Sequence, residues 1–199
     1  MKIIPLFMRR HGGLLALLPL LFTLSGCGVN TLPALDEQVN ADWAQVQNQY
    51  QRRADLIPNL VATVKGYAQH EEETLKAVTE ARAKVGSLQI KDPSQLKQFE
   101  QAQDQLSSAL SRLMVVSERY PELKADQQFL ALQSQLEGTE NRISVARRDY
   151  IEAVRRFNTE LRTFPGVIWA KTLYSDMTPK PSFSATSPNA EQAPKVEFK

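Results

Sequence analysis

The 199-residue chain is short of the residues that most chemistry needs. It has one cysteine, Cys27, so no intrachain disulfide can form and stability must come from packing. Of its two histidines, only His70 lies beyond the first 27 residues. A common zinc site takes three or four His, Cys and acid ligands, and His70 beside Glu71 supplies two, so neither a metal nor a cofactor is expected. There is no HExxH, P-loop, GxGxxG or GxSxG pattern. A Ser-His-Asp arrangement would have to take its base from His70, and nothing places a serine and an oxyanion hole near it. A di-iron bundle would need a pair of Glu-x-x-His motifs, which are missing. A large charge of one sign is missing too. The formal net charge is +2, but Lys2, Arg9 and Arg10 fall within residues 1–27; without them 21 basic groups face 22 acidic ones, a net charge of −1. Nucleic acid is thereby excluded as a partner.

No apolar run reaches the roughly 20 residues that a transmembrane helix wants. The longest, Leu14 to Leu24, is broken by Pro19 and Thr23 and follows a basic n-region, the order of a signal peptide. It ends in Leu24-Ser25-Gly26-Cys27, which resembles the lipobox of bacterial lipoproteins. That resemblance implies cleavage before Cys27 and lipid attachment there, with the membrane as partner through several acyl chains. Gly28 rather than Asp after the cysteine favours the outer membrane, facing the periplasm, if the source is Gram-negative. The bland alternative is an ordinary thiol beside a cleavage site. The expected division is a signal peptide over 1–27, a tether over 28–34, a helical domain over 35–175 and a Pro-rich tail over 176–199.

What the chain has in abundance is helical period. From Leu35 a four-three seam runs through Val39, Trp43, Val46, Tyr50, Arg53, Ile57, Leu60, Val64, Tyr67, Glu71, Thr74, Val78, Ala81 and Val85, polar only at Arg53, Glu71 and Thr74. Such persistence predicts a long coiled-coil-like helix. Pro58 should kink or break it, and the seam's continuity on both sides points to a kink. A second helix is expected from Pro93 to Arg119, with Leu96, Phe99, Ala102, Leu106, Leu110, Leu113 and Val116 inward. A third starts near Pro121, with Leu123, Leu130, Leu136, Ile143, Tyr150, Val154, Phe157, Leu161 and Phe164 inward, and Val167 to Leu173 makes a short fourth. The fold class is all-α: a long antiparallel bundle of three long helices plus a short one. Rods of about 75, 40 and 65 Å cannot cover one another. Either the first folds back near Pro58, giving a four-helix bundle, or an apolar seam is left for a partner. Composition from Thr178 onward predicts no regular structure.

The stretch Arg52-Arg53-x-Asp55-Leu56-Ile57-Pro58-Asn59-Leu60-Val61-x-x-Val64-Lys65-Gly66-Tyr67-x-x-His70-Glu71 resembles the signature of the LemA family of bacterial envelope proteins. Glu140-Asn141-Arg142-Ile143-x-Val145-Ala146-Arg147-Arg148-x-Tyr150, continuing to Ala153-Val154 and Phe157-Asn158-Thr159, resembles a second part of it, and Ala193 to Phe198 its usual C-terminus, so Val196 and Phe198 are expected to dock. The resemblance implies a LemA-like four-helix bundle, association with membranes and no settled activity. Some relatives are tied to membrane remodelling.

The candidate interaction residues are Arg53, Asp55, Pro58, Asn59, Lys65, His70, Glu140 and Arg147. Arg53 and Glu71 sit on the seam, so burial demands partners, and Glu140 and Arg147 share the register of Ile143 and Tyr150. An interhelical pair, Arg53 with Glu140 or Glu71 with Arg147, would fix register; the alternative is that these side chains snorkel to water. Asp55, Asn59, Lys65 and Asn158 would either line a small binding site or cap helices and repair Pro58. His70 reads as a surface or bundle-edge helix residue, with a pH-sensitive contact or catalysis as the alternatives. Asp55, Lys65, His70 and Glu71 do not share a helix face, which argues against an enzyme. The expected function is a lipid-anchored, non-catalytic scaffold or adaptor of the cell envelope that binds an unidentified envelope protein or itself. The alternatives are a membrane-surface or membrane-remodelling module, or an enzyme with an unrecognised site.

Overall fold

The computed structural model describes residues 28–88 and 95–183. The expected signal peptide with Cys27, residues 89–94, and Val196 and Phe198 with the docking expected of them, lie outside that range. Among the described residues there are six helices and no strand: α1 (Thr31–Tyr67), α2 (Glu72–Ser87), α3 (Leu96–Ser117), α4 (Pro121–Ala125), α5 (Gln127–Glu160) and α6 (Gly166–Thr172). α1 and α5 run antiparallel along their whole length, from Tyr67 against Asp126 at one end, through Arg53 against Glu140, to Leu32 and Val39 in one cluster with Val154 and Phe157 at the other. α2 and α3 form a second antiparallel pair against this rod, α2 beside residues 54–68 and α3 reaching on past Arg53 to Tyr50 and Trp43 through Phe99. The fold is an all-α bundle.

The first rod turns back, but not at Pro58. α1 passes through Pro58, and the break comes at Ala68–Glu71, where the Ala68 amide donates to Val64 O and the Glu71 amide to Ala68 O. The buried series steps Val64, Ala68, Leu75, Val78, so Tyr67 leaves the interior and Glu71 becomes half-buried. Sequence periodicity runs straight over this corner because the turn happens to preserve the four-three spacing. At the corner the Tyr67 hydroxyl donates to Asp126, whose side chain also caps α5 by accepting from the Phe129 amide at 2.8 Å. The Phe129 and Tyr67 hydrogen bonds hold the Asp126 carboxyl below its ordinary range.

A proline inside a helix leaves the carbonyl four residues earlier without its amide donor. Here that carbonyl is Ala54 O, and the Arg82 Nε–H of α2 donates to it at 2.8 Å. Asp55 and Asn59 do not make the repair. Asp55 accepts from Gln51, and the Asn59 side chain points outward. R82A should cost about 1 kcal/mol, the worth of one such hydrogen bond. In a P58A background, where the amide donor returns, the same substitution should cost nearly nothing. Urea denaturation of the four proteins measures this coupling, and equal losses in both backgrounds would refute the repair.

Two apolar cores result. One holds Ile57, Leu60, Val64, Val78, Leu106, Leu113, Leu123 and Phe129 within the four-helix half. The other holds Leu32, Val39, Val46, Phe99, Tyr150, Val154, Phe157 and Phe183. Besides Tyr67, two residues expected inside are exposed: Leu130, because Asp126 resets the phase between α4 and α5 and buries Phe129 instead, and Phe164, because α5 ends at Glu160 and leaves it in the turn to α6. The stretch that composition leaves without structure is extended but packed as far as Phe183. Asn158 Nδ2 donates to Lys180 O and its Oδ1 accepts from the Lys180 amide, both at 2.8 Å, and the Tyr150 hydroxyl donates to Pro181 O at 3.0 Å. Likewise α1 begins at Thr31, inside the expected tether, with Leu32 fully buried.

Candidate functional site

Arg53 lies where the two cores meet. It is 2% exposed, and burying a guanidinium there demands acceptors on every side. Its Nη1 donates to Glu140 Oε2 at 2.8 Å and to Ser107 Oγ at 3.1 Å. Its Nη2 donates to the side-chain oxygen of Gln103 and to Gln103 O at 3.5 Å. The guanidinium also stands 5.2 Å from the centre of the Tyr50 ring. One side chain of α1 thus ties α3 and α5 together. Of the two pairs considered from sequence, Arg53 with Glu140 is formed and Glu71 with Arg147 is not: Glu71 pairs with Arg119 at 3.0 Å and accepts from the Tyr120 hydroxyl. Those partners follow from the turn at Ala68, which carries Glu71 to the end of the bundle.

Arg147 lies two helical turns beyond Glu140. Its Nη2 pairs with Glu100 Oε1 at 3.2 Å, and its guanidinium stands 4.3 Å from the centre of the Phe183 ring. Around it Trp43, Tyr50, Phe99, Tyr150 and Phe183 form a chain of ring contacts at 5.0 to 6.0 Å. Burial raises the phenols of Tyr50 and Tyr150, in Tyr50 against the opposing pull of Arg147 and Arg53. Glu100 and Gln103 were not singled out from sequence. They sit on the apolar face of α3 beside Phe99 and Leu106, and that placement is the signal that could have found them.

The remaining candidates face the other way. Asp55, Pro58, Asn59 and Lys65 are exposed and, with Ala62 and Gly66, make one stripe on α1 directly opposite the buried Arg53, Ile57, Leu60 and Val64. His70 is exposed as expected but lies in the adjoining turn and not on a helix, because the chain breaks between Tyr67 and Glu72. Asn158 does not join them, being engaged with Lys180 at the far end. Among the described residues no group of three His, Cys, Asp or Glu is placed to hold a metal. No described helix is long and apolar enough to cross a membrane.

A protein-family model, the LemA family, matches residues 42–198. The chain belongs to the LemA family. A relative, Protein LemA of Metamycoplasma hominis, is 26% identical over 119 residues, which cover 60% of this chain and 52% of that protein. The chain therefore spans about half the length of this relative. In this LemA-family chain the signature residues divide into two sets. Arg53, Glu140 and Arg147 hold helices together, while Asp55, Pro58, Asn59 and Lys65 stand on the outside.

Proposed function

We propose that this protein is a lipid-anchored, non-catalytic helical scaffold of the cell envelope, held at the membrane through Cys27, that presents the exposed stripe of α1 to a partner protein. The observation that carries the reading is the stripe itself. Folding explains the buried signature residues, because each holds a helix in register. It does not explain Asn59, Lys65, Ala62 and Gly66, which form no side-chain hydrogen bond or ion pair among the described residues and point away from both cores. Ala62 and Gly66 let a helix approach closely, and Asp55, Asn59 and Lys65 flank them with a carboxylate, an amide and an ammonium. The long apolar seam is not the partner surface, since Val78 is buried among the protein's own helices and Trp43 packs against Tyr150 and Phe183.

A photoreactive residue at Ala62 in the intact envelope tests this, with Val145 on α5 as the off-stripe control. One defined protein captured at Ala62, lost in an N59R background and absent at Val145, is the expected result. Self-crosslinks alone would replace the adaptor with a homo-oligomer. Lipid adducts alone would favour the membrane-surface reading, and no adduct would remove the stripe as a surface of contact.

A further inference from the structure

The end of the bundle where α1 begins and α5 finishes carries the densest group of exposed apolar side chains in the described chain. Phe164 is 80% exposed, Ile168 46% and Leu173 61%, all within the ten residues that make the α5–α6 turn and α6. The same end receives the N-terminus. Gly28 has φ 106° and accepts from the Thr31 amide at 3.1 Å. A Cβ on Gly28 would stand 3.3 Å from Pro165 Cγ and 3.9 Å from Trp169 Nε1, so this residue is seated on the turn rather than spaced from it. Gly28, the residue that follows Cys27 in the chain, is thus in contact with Pro165 and Trp169. The Trp169 indole N–H is buried there without an acceptor among the described residues.

We propose that this end of the bundle is a membrane-seating surface for a phospholipid bilayer, with Phe164 and Ile168 entering the interfacial layer beside the acylated Cys27. The proposal rests on the lipid-anchor reading above and gives it an orientation. Three linking residues, 28–30, leave little slack between a lipidated Cys27 and α1, so acyl chains in the bilayer bring the α5–α6 turn down onto the headgroups. Apolar side chains there gain from leaving water, and an aromatic ring is suited to the headgroup level. Exposed Arg162 and Lys171 flank the turn and suit anionic headgroups, while Glu160 is half-buried, and Asp176 and, in the first turns of α1, Glu37 are exposed acids. The rod then stands away from the membrane, holding the stripe of α1 and the corner at Ala68–Glu71 out in the aqueous space.

The full chain, produced with its lipid in the native envelope and reconstituted in phosphatidylethanolamine–phosphatidylglycerol vesicles, tests the seating. With Cys27 consumed by acylation, F164C, I168C and L130C each offer one free thiol for an environment-sensitive fluorophore. Labels at 164 and 168 should shift to the blue, lose access to aqueous iodide and be quenched by nitroxide lipids. The label at 130, at the opposite end of the bundle, should do none of these. Acyl mass on Cys27 and co-flotation with vesicles, with labels at 164 and 168 as open to iodide as at 130, would overturn the seating and leave the anchor standing. Absence of acyl mass, with C27S floating as the wild type does, would overturn the anchor and the seating together.

Discussion

E140A is expected to destabilise the protein by about 3 kcal/mol, more than R53M, which should cost about 1 kcal/mol. The asymmetry follows from burial. The Arg53 side chain is 3% exposed and that of Glu140 56%, so removing the carboxylate leaves a cation in the core with only neutral oxygens of Ser107 and Gln103 around it. Removing the guanidinium instead leaves a carboxylate that water can reach. Methionine fills much of the arginine's volume, and the remaining loss is the Gln103 side-chain oxygen left without its donor. E140Q, which keeps an acceptor but not the charge, should fall between the two. In the R53M background E140A should be nearly silent. Urea midpoints at constant m-value measure all of this. If R53M cost more than E140A, the arginine would matter through its packing and not through its charge.

F183A should cost about 3 kcal/mol, the range for deleting a buried phenylalanine ring. Phe183 is 8% exposed and closes the second core against Trp43, Tyr150 and Arg147. Without it the strap from Tyr174 retains the Asn158 clamp and the Lys180 pair with Asp36, at 2.6 Å, but loses its apolar anchor. The loss can therefore not exceed the free energy that docks the strap, because beyond that point the strap simply detaches. Trp43 reports the event. In a W169F background its emission should move to the red as water reaches the ring. A stable protein with unshifted emission would mean that Phe183 covers the core without holding it.

Both predictions concern residues whose importance was only partly readable. Arg53 interrupts an apolar seam, and a cation in that register needs a partner, so the helix-tying role was legible at Arg53 and Glu140 from periodicity. Gln103 and Ser107 were not, because a polar residue on an amphipathic helix looks the same from sequence whether it faces water or a buried guanidinium. Phe183 was illegible for another reason. It follows Pro179 and Pro181 in a segment with no period, and its burial depends on Asn158 and Tyr150 supplying hydrogen bonds that local sequence does not predict.

Residue order alone carries the all-α class, the inward faces of most long helices, the LemA-family membership through its two motifs, and the polar interruption at Arg53. These are encoded in spacing, and spacing survives without coordinates. Tertiary structure decided where the first rod turns, which pairs form and what the strap covers. The corner lies at Ala68–Glu71 and not at Pro58, because Arg82 of the returning helix satisfies Ala54 O and lets α1 continue. A proline's effect on a helix depends on whether a donor from elsewhere reaches the orphaned carbonyl, and that donor lies 28 residues away.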